Sequence, residues 1–538
     1  MSDHVATGRR SFLKYTGALG AAAAITTSLS ACSSGPKSTS DKSGTGTLSA
    51  VIGYGNDQSW DPALTASAFA MAANHHIFEG LLDADPVSRE PYAALATEVP
   101  KDLKATTWSF TLRSGAKWHD GKPVTADDVV FSFERALDTK TTTLIGSFFQ
   151  SWLKEVRKAG DGRVELVLKF PFPEGAARLG LAKILPKHLL DSPGGLKDLD
   201  SGKPEFVVGS GPYRMTSNQP LSNTTLEAFK EYNGPRKPAF TKMNWLSIVD
   251  AAARVAKISG GGAEAQVSDN IPYANIQKLK SDGLTVEGGA GMNHLFLLFN
   301  TDHKPFDDVR VRQALHYAID RKKLIDTALK GHGKAARSFL DEGNPTFRPA
   351  KPVYGYDPAK AKALLKEAGV SGLKVTLMAS TVSWVADCLP TIKASWDAIG
   401  VKTTLNPQET SALFTKLDQK YDFQVVASAA NPNQFGVDAD LIMRYNYTPT
   451  GLWMERYSRW SDTSEAKHLF KLMDAATKEP DQAKKKRMTQ EYIDVVAENA
   501  VIYPVVHTEL MTAWDPKKVT GVPALPYPGI NVLKAKRV

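Results

Sequence analysis

Apolar and polar positions change period several times along this chain. Trp108, Phe110 and Leu112 alternate with Ser109 and Thr111, and Val164, Leu166, Leu168 and Phe170 alternate in the same way. A period of two predicts half-buried strands. Leu48–Ile52 reads as an edge or first strand, followed by a Gly-, Asn- and Asp-rich loop over Gly53–Pro62. Leu295–Phe299 is unbroken apolar, which suits a strand buried on both faces. Elsewhere the period lengthens to 3.6. Val311, Leu315, Ala318 and Ile319 recur at helical spacing, with Asp307 as the expected cap. Thr125 and Asp128 predict a capping box and a helix from near Ala126, with Val129, Val130 and Phe133 facing inward. Asp357, Pro358 and Gly369 supply the cap, first turn and stop of another helix. A strand at Val375 and Leu377, a helix through Trp396 and a strand over Val501–Val506 follow. The alternation of strands and helices predicts an α/β fold.

The amino terminus has a different pattern. Arg9-Arg10-Ser11-Phe12-Leu13-Lys14 opens a mild apolar run that closes at Leu29-Ser30-Ala31-Cys32. A positive start, a short apolar core and small residues before a cut site describe an export signal, too short to span a membrane permanently. The paired arginines resemble a twin-arginine signal. The final tetrad resembles a lipobox, in which Cys32 becomes the lipidated first residue. Residues 35–47 are Ser, Gly, Lys and Thr without apolar periodicity and read as a flexible tether. The remaining stretch, about 490 residues, suffices for two or three domains.

Of the formal charge of +9, Arg9, Arg10 and Lys14 against Asp3 leave +2 in the leader and +7 on the rest. Those charges are scattered. The one run, Lys484–Arg487, reads as a solvated helix face, and no nucleic-acid motif accompanies it. With Cys32 carrying lipid, Cys388 has no partner in the chain, so disulfides are not expected to hold the fold.

Enzyme signatures are missing. Ser151-Trp152-Leu153-Lys154 matches Ser-x-x-Lys but lacks a Lys-Thr-Gly partner. Neither Gly-x-Ser-x-Gly nor His-Glu-x-x-His occurs. Gly209-Ser210-Gly211-Pro212 has no Gly-Lys-Ser/Thr ending, so it reads as a tight turn before a strand and not as a phosphate loop. No cofactor and no metal site is expected. His75-His76 and His119 read as structural residues.

Thr107–Arg113, Trp118-His119-Asp120-Gly121-Lys122-Pro123, Thr125–Val129, Asp307–Leu315 and Tyr356–Ala361 are together similar to the signature of one family. It is the extracytoplasmic solute-binding proteins of ABC importers, family 5, whose members take up peptides, nickel chelates, opines and some oligosaccharides. The resemblance implies a two-lobed periplasmic-binding-protein-like fold (type II) with an extra subdomain in lobe I and hinge strands between the lobes. The implied division is signal peptide 1–31, tether 32–47, lobe I 48–293 with the extra subdomain at about 71–188, lobe II 294–505, and a return to lobe I over 506–538. The expected role is a lipid-anchored, monomeric receptor on the outer face of the membrane. It would deliver a solute to a permease and ATPase, with a peptide first and an oligosaccharide or other polar solute next. A lipid-anchored secreted hydrolase and a solute sensor are the competing readings.

The resemblance places a ligand cleft between the lobes, lined by Asn56, Asp57, Gln58 and Trp60, by Thr410, and by Ser428, Asn431, Gln434 and Phe435, with Trp384 as a candidate wall. Peptide-binding relatives place a carboxylate for the ligand's amine near Asn431. Here an amide stands there, with Asp438 or Asp440 as possible replacements in a shifted loop.

Overall fold

The computed structural model describes residues 46–538 except 57–58, 66, 139–142, 144, 260–263, 421 and 450–451. The leader, Cys32 and most of the tether lie outside the described residues, as do Asp57 and Gln58.

Among the described residues one sheet of eleven strands runs through the whole body. Its order begins at Lys402–Gln408, then Lys374–Ser380, Val425–Ala430, Thr285–Phe299 and Ile502–Trp514. It continues through Val267–Ser268, Thr47–Ile52, Lys242–Ser247, Asn223–Ala228 and Tyr213–Gln219. Gly333–Ala335 pairs beside Ile502–Trp514. Thr47–Ile52 is therefore interior, paired parallel on both sides, and not an edge strand. Its Ala50, Val51 and Ile52 are wholly buried, as an interior strand requires.

Two hydrophobic bodies form around this sheet. Residues from Met292 to Val506 build one core. The other body has a core of residues 48–78, 185–267 and 514–535, and beside it a second core over residues 63–208 that also takes in Phe435 and Leu441. That second core holds a separate three-stranded sheet, Thr107–Thr111, Arg163–Leu168 and Leu153–Gly160. The alternation read in the sequence is seen here, with Trp108 and Phe110 buried between exposed neighbours. We call the two bodies the second and first lobes.

The local signals explain why the helices sit where they do. Thr125 and Asp128 form a reciprocal capping box on Ala126–Leu137. Asp357 caps Pro358–Glu367, and Gly369 follows in the left-handed conformation. The cap of Val309–Tyr317 is Asp308 and not Asp307, with its side chain accepting from the Arg310 N–H. Gly209 is required by close approach, since a Cβ there would lie 1.9 Å from the Ile77 carbonyl oxygen. His119 holds the same turn, accepting from the Gly209 N–H at 3.2 Å.

The lobes are joined chiefly by two long antiparallel strands, Thr285–Phe299 and Ile502–Trp514. Their register breaks in the middle. Gly289 faces Leu510 and Asn293 faces Thr508, so Ala290, Gly291 and Met292 oppose Glu509 alone. A bulge of this kind bends a strand and re-aims side chains.

Candidate functional site

The bulge opens onto a cavity lined by both lobes, about 490 Å³. The crossing strands contribute Gly291, Met292, His507, Thr508 and Glu509. The first lobe adds Val87, Ser88, Arg89 and Pro526, and the second adds Lys334, Arg337 and the loop 340–347. A volume of this order suits a ligand of a few residues' size.

The lining carries both signs of charge. Glu342 lies 3.4 Å from Lys334 and 3.5 Å from Arg337, loose pairs on an open rim. Glu509 meets His332 at 3.2 Å, and the His332 ring stacks on Tyr273 at 5.2 Å. The Tyr273 hydroxyl donates to the Glu509 carbonyl at 2.7 Å, which fixes the strand next to the bulge. His507 is buried, and burial lowers its pKa despite Asp341 and Glu342 nearby. Its Nε2 lies 3.1 Å from the Phe339 carbonyl, which can only accept, so that nitrogen carries the proton. Among the described residues, no group of three or more His, Cys, Asp or Glu is placed to hold a metal.

Other contacts pull the lobes together beside this cavity. Arg178 of the first lobe, 1% exposed, donates through Nη2 to Asp438 and to Asp440 of the second, each at 2.8 Å. Asp440 is also held by Arg444 at 2.9 Å and by the Thr477 hydroxyl at 2.8 Å. Burial acts to raise the Asp440 pKa, but Arg444 and Arg178 outweigh it and bring it to about 2. Lys485 reaches Glu174 across the lobes at 2.8 Å, so the basic run is partly an interlobe contact and not wholly a solvated face. An aromatic column, Phe148–Phe435–Tyr445–Trp453, runs from the first lobe into the second at ring spacings of 5.3–6.0 Å.

The residues expected to touch ligand are placed unevenly. Gln434 and Phe435 line a narrow space of about 30 Å³ between the lobes, with Met71, Asn74 and His75 opposite. Asn431 is half-buried at the end of its strand, and its Oδ1 lacks a hydrogen-bond partner. Ser428 is buried within the sheet, opposite Phe296. Thr410 shares a hydrogen bond of 2.7 Å with Ser380.

Five of the residues named from the sequence are engaged by packing or bonds within the protein. Trp60 is 1% exposed, edge-on to Phe69, with Nε1 donating to the Asn56 carbonyl. Asn56 itself donates to Asn218 and Thr224 at 3.1 Å within the first lobe. Trp384 packs in the second-lobe core. Asp438 caps Ala439–Asn446 while holding Arg178, and Asp440 is bound to both Arg178 and Arg444. Sequence reasoning missed Arg89, Lys334, Arg337 and Glu509. The Gly288-Gly289-Ala290-Gly291 run in an otherwise strand-like stretch marks the bulge beside Glu509, and it was a readable signal.

Comparison with known proteins now gives the class. Residues 90–451 match the bacterial extracellular solute-binding proteins, family 5, and the chain belongs to that family. It is similar to the dipeptide-binding protein of Escherichia coli K12, 30% identical over 383 residues covering 65% of this chain and 70% of that protein. It is also similar to heme-binding protein A of Haemophilus influenzae, 30% identical over 425 residues covering 73% and 76%. Among solved structures, the binding protein AgaA of A. tumefaciens R10 in complex with agropinic acid superposes with a TM-score of 0.79 at 24% identity, over 92% of this chain and 99% of that one. A dipeptide-binding protein of Pseudoalteromonas sp. SM9913 in complex with Met-Leu gives 0.79 at 22% identity, over 92% and 100%. The fold is that of the two-lobed type II periplasmic binding proteins, and the function is solute binding.

Proposed function

We propose that this chain captures a peptide-sized, zwitterionic solute in the cavity at the strand bulge and delivers it to an ABC permease and its ATPase. The observation that carries this reading is the 490 Å³ cavity, lined from both lobes by Arg89, Lys334 and Arg337 and by Asp341, Glu342 and Glu509. A solute with separated ammonium and carboxylate groups matches a lining that carries both signs of charge in loose, partly exposed pairs. The names of the relatives support peptides: dipeptide-, di/tripeptide- and glutathione-binding proteins recur among them. The lobes follow the division 48–293, 294–505 and 506–538. The protein is a monomeric receptor and not a hydrolase, cleaved before Cys32 and held at the membrane by lipid there.

Calorimetry of the body from Gly46 onward against di- and tripeptides, glutathione, oligosaccharides and heme tests the cargo. Saturable peptide binding at one site per chain, with the peptide recovered intact, is expected. A ligand at 100 times its Kd adds about 2.7 kcal/mol of stability, readable as a thermal shift. Response to oligosaccharide alone rejects the peptide assignment, and recovery of cleaved peptide restores the hydrolase reading. Mass spectrometry of the mature amino terminus, with Cys32→Ala releasing the protein from membranes, tests the anchor.

A further inference from the structure

Val87, Ser88 and Arg89 form the tip of a hairpin between Leu82–Ala84 and Pro91–Ala93, and the tip enters the cavity from the first-lobe side. Arg89 has φ 64°, in the left-handed region. A side chain there is strained, and glycine is the usual occupant. The turn needs that conformation, because the Arg89 N–H donates to the Asp85 carbonyl at 3.0 Å. It does not need an arginine. What uses the position is the guanidinium.

That guanidinium is enclosed between the lobes. Arg89 is 9% exposed. Its Nη2 donates to the Gln434 carbonyl of the opposite lobe at 2.9 Å, and its plane lies over the Tyr527 ring at 5.1 Å. Its Nε has no hydrogen-bond partner. Among the described residues, no carboxylate lies within ion-pair distance of it. The nearby Asp85 is engaged by Lys534, by Arg236 at 3.3 Å and by the Val87 and Ser88 N–H groups. Burying a charge without a counter-ion is unfavourable. Arg89 thus bears two local costs at once, and the cavity beside it has room for the missing anion.

We propose that Arg89 is the carboxylate-recognising residue of this receptor, pairing with an anionic end of the solute while its Nη2 keeps hold of Gln434. This rests on the cavity being the solute site. Arg presents a planar fork to a carboxylate, which Lys does not reproduce.

The test uses a mixed di- and tripeptide library with free carboxyl termini, the same library amidated at those termini, and succinate and citrate. Each is measured by thermal shift and calorimetry on the wild type, Arg89→Gly and Arg89→Lys. Arg89→Gly relaxes the backbone, so its ligand-free melting temperature is expected to stay or rise. The wild type is expected to bind free acids at least tenfold better than amides. Arg89→Gly should erase that ratio, and Arg89→Lys should restore it only in part. Equal binding of acids and amides by the wild type, or a ratio that survives in Arg89→Gly, overturns the Arg89 assignment and leaves the peptide reading standing. Arg89-dependent binding of succinate or citrate with no peptide binding supports Arg89 and rejects peptides. Silence from every carboxylate probe overturns both.

Discussion

At the residue scale, His76 shows how a histidine can be fixed in one state. Its Nδ1 donates to the Ala72 carbonyl at 2.8 Å and its Nε2 accepts from the Val532 N–H at 3.1 Å. Only the neutral ring can do both. Burial brings its pKa to about 4, and burial with His507 nearby brings His294 to about 3. Unfolded, each returns to about 6.5. Between those values the unfolded chain binds more protons. The stabilisation is therefore complete above about pH 6.5 and is lost as pH falls toward 4, with His76 alone accounting for roughly 3 kcal/mol. Urea midpoints should drop steadily from pH 7 to 4.5, and His76→Gln should flatten the profile. A level midpoint across that range would refute this account. Cys388 is a second fixed residue. It is buried in the core, and burial raises its thiol pKa. In a Cys32→Ser chain, one thiol should titrate with Ellman's reagent only after unfolding, and prompt reaction of the folded protein would count against that burial.

At the scale of elements, the strands and helices whose partners lie close by were readable. Thr125 with Asp128 sets a cap within one turn, and Trp108 with Phe110 sets a face within one strand, so local pattern decides both. The sites were less readable because they depend on distant chain. Asp438 and Asp440 looked available to ligand until Arg178, 260 and 262 positions away, was placed against them. The resemblance put Trp60 and Asn56 in the cleft, and the structure folds their loop back onto Asn218 and Thr224. The crossing strand shows the same limit. Its glycines signal a bulge, but the reason for Gly289 lies elsewhere: a Cβ there would meet the Leu525 carbonyl oxygen at 1.9 Å. Gly289→Ala must displace either the strand or the Leu525–Pro526 segment, and a loss of about 2 kcal/mol or more is expected by urea unfolding, in the range of overpacked cores. Gly355→Ala meets nothing within 4 Å and serves as the neutral control. Equal stability of the two variants would show that the crossing strand yields freely at the bulge.

At the scale of the whole molecule, the two lobes hold each other by contacts of their own. Arg178, Asp438, Asp440 and Arg444 form a buried network across the cleft, with Phe148 against Phe435 beside it. Removing one partner of such a pair costs about 3–5 kcal/mol because the other charge is left buried. In a hinged receptor that cost is relieved by opening, which returns the charges to water. The closed, binding-competent population then falls, and apparent Kd rises in inverse proportion to it. Arg178→Met keeps the apolar stem and removes the charge, while Asp440 retains Arg444. Solution scattering should show a larger radius of gyration for this variant than for the wild type, and solute affinity should fall about 10- to 100-fold. Lys485→Met, at the more exposed Glu174 pair, should change neither by much. Asp440 is depressed to about 2, so its stabilisation is complete above its unfolded value of about 3.9 and is lost as pH falls from there through 2. Acid should therefore not open the wild type between pH 8 and 5. Should Arg178→Met fail to fold, Asp438→Asn weakens one arm of the same contact and is expected to move both readouts in the same direction by less. A radius of gyration and an affinity that match the wild type in both variants would mean that the network stabilises the lobes without setting their closure.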